Sequence, residues 1–190
     1  MRAVVGLGNV GLEYAASRHN VGFWVVERLI PRAQWRREAH PWGEVHRSVK
    51  GVLLRPSTYM NRSGEAVRNL LSTFSLCPHE ILVAYDEADL PVGDLRLRAR
   101  GGAGSHRGMA SVLAALGTED VPRLRVGIGQ PARGGDWTDH VLSPPPPAEA
   151  VALAGAVDLA GELAWAFLAH GLSAALDRFS REGRRLGRII

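Results

Sequence analysis

The sequence predicts an α/β protein: one domain with a mixed, mostly parallel central sheet flanked by helices. Three observations predict it. Short apolar strand-like runs alternate with segments of helical periodicity, an interleaving that stacks helices on a sheet. At 190 residues, with 46% hydrophobic and 22% charged side chains, the chain can bury the core of one domain of ordinary size. No internal repeat is evident, and the helical region after the linker-like Pro144–Pro147 depends too much on a partner surface to fold alone. The expected domain is therefore 1–190.

Arg2–Leu7 reads as a short apolar strand, and Asn20–Ile30 (NVGFWVVERLI) carries its apolar residues at helical spacing. Gly43–Val49 and Gly51–Arg55 read as strands joined at Lys50-Gly51. Gly64–Phe74 reads as a helix, Glu80–Tyr85 as a buried strand, Asp94–Arg98 as an alternating strand, Arg107–Leu116 as a helix and Arg123–Ile128 as a strand. An alanine-rich helical region then runs from Ala148 to about Ser180, followed by a basic tail, 181–190, read as disorder-prone. If the strands at 2–7, 51–55 and 80–85 are parallel, the Pro31–Trp42 connection must turn the chain so that 43–49 is the antiparallel member.

Composition excludes several function classes. No stretch approaches the roughly 18 uninterrupted apolar residues of a membrane span, and Met1-Arg2-Ala3 leads into a strand rather than a cleavable signal. A soluble cytoplasmic protein with no membrane partner is expected. The single cysteine, Cys77, excludes an intrachain disulfide or a cysteine-rich metal site and reads as a packing residue. The formal net charge of +4 is unevenly placed. Arg96, Arg98, Arg100, Arg107, Arg123, Arg125 and Arg133 face only Glu119 and Asp120, and a second basic zone runs from Arg178 to Arg188. Such zones suit a phosphate-bearing polymer. The ordinary reading also stands, since only Lys50 of the 23 basic residues is a lysine, which looks like coding bias.

Gly6-x-Gly8-x-x-Gly11 follows the first strand with the spacing of a dinucleotide loop. That motif needs a helix opening within the glycines and an acidic residue about twenty positions on, at the end of a second strand. Here the helix opens only near Asn20, and Glu27 lies inside it. The loop offers polar chemistry instead. Asn9 and His19 follow the first strand, Asn61 follows the 51–55 strand and Asp86 follows ILVAY, so a parallel arrangement brings all four to one crevice beyond the strand exits. Singly, each has a structural reading: Asn9 as a turn residue, Asn61 as a helix cap, His19 and Asp86 as caps.

The stretches GLGNVGLEYAASRHNVGF, RPSTYMNRSGEAV, ILVAYDEADLPVGDLRLR, GGAGSHRGM and RLRVGIGQP, in that order, resemble the bacterial peptidyl-tRNA hydrolase family. The resemblance implies a single α/β domain around a twisted mixed sheet. It implies hydrolysis of the ester between a peptide and the 3′ end of tRNA, which recycles tRNA from abortive translation. It also implies no cofactor or metal, the tRNA acceptor arm and 3′ CCA end as partner, and a monomer.

Residue by residue, His19 matches the family's catalytic histidine and Asp86 its catalytic aspartate, while Asn9 and Asn61 match residues that grip the peptide and place water or carbonyl. An imidazole titrates near neutrality and can deprotonate water without a covalent nucleophile. Tyr14 and Met60 match crevice-lining positions, and Gly101–His106 a segment whose simplest role is a flexible gate. His106 and Arg107 are carried over as substrate-binding positions, and Arg98 and Arg125 match a clamp for the tRNA 5′ phosphate. The chain departs at Val10, where the family usually has proline, at Ser105 (glycine) and at Arg107 (asparagine). A guanidinium donates hydrogen bonds but cannot accept them, so Arg107 cannot replace an amide fully. Two further readings remain open: an RNA-binding relative with weak or no turnover, and, more distantly, a nucleotide oxidoreductase.

Overall fold

Strand β1 (Ala3–Gly6) is apolar on both faces: Ala3 and Val5 project into one core and Val4 into the other, all fully buried. A strand of that kind belongs at the centre of a sheet covered on both sides. It pairs in parallel with β4 (Gly51–Pro56) and β5 (Ile81–Glu87), and β5 pairs in parallel with β7 (Arg123–Gly127). Antiparallel partners complete both edges, with β3 (Gly43–Ser48) on β4, β2 (Arg36–His40) on β3 and β6 (Leu95–Arg98) on β7. The resulting seven-stranded order is β2-β3-β4-β1-β5-β7-β6. The computed structural model describes residues 1–186, with side chains through residue 182.

Helices α1 (Val21–Glu27), α5 (Pro147–His170) and α6 (Leu172–Leu186) cover one face, and α2 (Ser63–Phe74) and α3 (Arg107–Leu116) cover the other. The single-domain α/β architecture and the parallel centre agree with the expectation. Other details differ. The 31–42 connection contains β2, whose RREAH sequence has no apolar face for periodicity to register. A six-residue helix, α4 (Trp137–Leu142), interrupts the segment before the prolines, started by Asp136, whose side chain accepts from the Asp139 N–H. The C-terminal helical region breaks at Gly171 (φ +88), and α6 extends to Leu186, so the described part of the basic 181–190 tail is helical. Residues 187–190 lie outside the described residues. Helix α5 has the length and hydropathy of a membrane span, but Leu153, Val157, Ala160, Leu163, Ala164 and Phe167 are buried in the core.

The opening glycines serve packing. A Cβ on Gly6 would stand 2.1 Å from the Gly22 carbonyl oxygen, and one on Gly22 would stand 2.4 Å from the Ala84 and Leu7 carbonyl oxygens. Two hydrogens in place of two methyl groups let α1 sit directly on β1 and β5, which fixes the turn preceding it. Because the obstacles are backbone atoms, Gly22→Ala must move the helix. Its expected cost is about 3 kcal/mol of unfolding free energy, the upper range for overpacking, measured by denaturant unfolding.

Candidate active site

His19 lies in a 3-10 turn (Arg18–Asn20) that runs into α1, Asp86 is near the end of β5, and His106 is the N-cap of α3. Since α1 and α3 cover opposite faces, two imidazoles reach over the carboxyl end of β5 from either side. His19 Nδ1 lies 2.9 Å from both Asp86 carboxylate oxygens, and His106 Nε2 lies 3.0 Å from Oδ1. A carboxylate only accepts, so both ring nitrogens donate. For His106 the Nε2–H tautomer is fixed on independent grounds, since its Nδ1 accepts the Met109 N–H at 3.0 Å. In the neutral ring of His19 the Nδ1–H donor places the lone pair on Nε2, which has no partner among the described residues, on a side chain that keeps 14% exposure.

Asp86 is 3% exposed. Burial alone would push its carboxyl up, but the His106 and His19 imidazoles outweigh it and hold the group well below the ordinary carboxylate range. The folded value is depressed, so Asp86 contributes stability above the unfolded value of about 3.9 and loses it as pH falls toward the folded value. Chemical denaturation is expected to show a fall in unfolding free energy below about pH 4 that is smaller in Asp86→Asn.

The crevice floor is set by another amide. The Asn20 side chain accepts the Asn9 N–H at 2.7 Å and donates to the Asn9 carbonyl at 2.9 Å, acting as a one-residue strand partner. Asn9 Oδ1 in turn accepts the Met60 N–H at 3.2 Å, which leaves its NH2 as the group available to a ligand. Arg18 is 6% exposed. Its guanidinium donates to the His140, Ser143 and Pro144 carbonyls and, at 2.9 Å, to Glu149, tying the turn that bears His19 to the start of α5.

The sequence-predicted residues divide accordingly. His19, Asp86 and His106 form one bonded group, while Asn9 and Met60 form the adjoining wall. Met60 is 6% exposed, and a Cβ on Gly108 would stand 2.4 Å from its sulfur, so the side chain is packed rather than free. Tyr14 is half-buried in a 3-10 turn. Asn61 and Arg107 are exposed, and Asn61 makes no hydrogen bond to His19, Asp86 or His106 among the described residues. Arg107 opens α3, where a cation opposes the helix dipole.

Several expectations change. Both nitrogens of His106 are used inside the protein, so it supports Asp86 and has none left for a substrate. The Gly101–His106 segment is anchored rather than a free gate, because Arg123 donates to the Gly101 and Gly102 carbonyls. Arg125 pairs with Glu87 at 3.0 Å, whereas Arg98 is exposed at the end of β6. Cys77 is exposed, not packed, in a turn where its N–H donates to Glu80. The bonds made by Asn20, Arg18 and Arg123 do not follow from the sequence, because their partners are distant in sequence or lie on the backbone.

His19, Asp86 and His106 offer ligand atoms within 4.8 Å of one another. They fit a hydrogen-bonded group better than a metal. His106 Nδ1 already accepts an amide, so lending Nε2 to a cation would demand an imidazolate.

Fold and site define a class: an α/β protein that holds an imidazole on a buried carboxylate at the exits of parallel strands, an arrangement suited to hydrolysis. Residues 3–186 match the sequence model of the peptidyl-tRNA hydrolase family. A relative from Synechococcus sp. (strain JA-3-3Ab) named peptidyl-tRNA hydrolase is 46% identical over 186 residues, 95% of this chain and 83% of its own. Another, from Carboxydothermus hydrogenoformans, is 43% identical over 190 residues, 96% of this chain and 100% of its own. The crystal structure of peptidyl-tRNA hydrolase from Acinetobacter baumannii superposes with a TM-score of 0.85 at 36% identity, covering 94% of this chain and 93% of that one. The chain belongs to the peptidyl-tRNA hydrolase family.

Proposed function

We propose that the protein hydrolyses the ester between the peptide and the tRNA 3′ end in peptidyl-tRNA, with His19 as the general base. The observation that carries this reading is the pair of 2.9 Å contacts from His19 Nδ1 to Asp86, which leave Nε2 free to take a proton from water. Water attacks the ester carbonyl as its proton passes to Nε2. The tetrahedral intermediate then collapses, the imidazolium returns the proton to the departing 3′ oxygen, and the products are a peptide acid and tRNA with a free 3′ hydroxyl. Asp86 holds the productive tautomer and stabilises the imidazolium.

The Asn9 NH2 and Asn61 hold the peptide backbone or the carbonyl, and Tyr14 and Met60 shape the wall that packs on the terminal adenine or the peptide. Arg107 brings positive charge to the crevice mouth, for a phosphate or the developing oxyanion. Arg98 and Arg125 take the 5′ phosphate of the acceptor arm, Arg125 by exchanging Glu87 for the phosphate. The protein acts as a monomer in the cytoplasm, recycling tRNA from abortive translation, and needs no metal.

The test is incubation of the purified protein with labelled peptidyl-tRNA, with and without a chelator. Release of peptide that survives chelation supports the reading, and RNA binding without cleavage overturns it.

A further inference from the structure

Arg123 is fully buried and forms no ion pair among the described residues. Its guanidinium instead faces backbone carbonyls: Nε donates to Val121 at 2.8 Å, Nη1 to Gly102 at 2.9 Å and also to Gly101, and Nη2 to Glu119 at 3.0 Å. The Glu119 carbonyl also accepts the Gly101 N–H at 3.2 Å. Arg123 thus joins the loop leading into α3 to the loop leading into β7. A buried charge is costly unless its donors are satisfied. Here they are used on a segment with little means of ordering itself. Gly101 and Gly104 have φ of +144 and +58, and a Cβ on Gly104 would meet nothing within 4 Å. Only Ala103, Gly104 and Ser105 separate the clamped carbonyls from His106, which donates to Asp86.

We propose that Arg123 is a positioning residue for the hydrolysis: by fixing the Gly101 and Gly102 carbonyls it holds His106 on Asp86, and through Asp86 it holds His19 in its productive tautomer and orientation. This rests on the assignment of His19 and Asp86 to the reaction. The role differs from a general contribution to folding because it is local to the loop. It predicts that loosening the clamp frees the Met109 amide, which donates to His106, while amides at the sheet centre keep their protection.

The test is amide hydrogen exchange and steady-state kinetics on Arg123→Lys, whose ammonium cannot span the four carbonyls. Met109 exchange is expected to accelerate at least about tenfold with the Val4 and Leu82 amides unchanged. Turnover is expected to fall about tenfold or more with KM within about twofold, as for a misplaced group that acts in the transition state. Adding Arg123→Lys to His106→Phe should cost little further kcat, because both remove the same bond. Uniform loosening of all amides with kcat per folded molecule unchanged would reduce Arg123 to a fold residue and overturn the proposal. If Arg123→Lys does not fold, Gly101→Ala supplies the same test, since a side chain at φ +144 displaces the clamped carbonyl from a loop outside the core. Unchanged Met109 exchange and kcat in that variant also overturn it. Exchange is read without substrate, so an absence of peptidyl-tRNA cleavage by the wild type would refute the proposed function and leave the clamp separately testable.

Discussion

Asp86→Asn is expected to lower kcat by about 10³-fold with KM little changed. The reason lies in the proton inventory of the two imidazoles. His106 cannot change tautomer, because its Nδ1 holds the Met109 N–H, so its Nε2–H claims the one acceptor oxygen that asparagine retains. The asparagine NH2 then faces His19 and donates to Nδ1, which moves the imidazole proton to Nε2. A protonated Nε2 cannot accept a proton from water, so the base is lost although the atoms barely move. Steady-state hydrolysis of peptidyl-tRNA, normalised to folded protein, checks this. A loss below about tenfold would mean that Asp86 does not set the tautomer.

His19→Ala is expected to lower kcat by at least ~10²-fold, the ordinary contribution of a positioned general base. Substrate affinity should change little, because the expected grip on RNA and peptide comes from other residues. Asp86 keeps its bond to His106, so the fold should survive, and equal unfolding midpoints of variant and wild type would verify that the kinetic loss is chemical. Activity within about threefold of the wild type would remove His19 from the proposed role.

The centre of the fold was legible because β1, β4, β5 and β7 are short apolar runs between helical patterns, and their parallel pairing follows from that alternation. The positions of His19 and Asp86 at strand exits were legible for the same reason. Strand β2 was not, because an edge strand of charged residues carries no periodic apolar signal. Neither was Asn20, since nothing local to a helix entrance reveals that its amide will pair with the backbone of Asn9. Arg123 and Arg125 counted equally in the basic zone, yet one satisfies carbonyls in the interior and the other meets Glu87. Summed charge cannot separate such cases, because it depends on where each side chain ends.

The bonds from Arg18 have a consequence for how the protein comes into being. Its carbonyl partners lie at residues 140, 143 and 144 and its carboxylate at Glu149, so a growing polypeptide that stops short of them leaves the turn that bears His19 without these four bonds. With His19 as the general base, that turn is expected to take its working geometry only once residues 140–149 have been made and docked, later than the reactive side chains themselves.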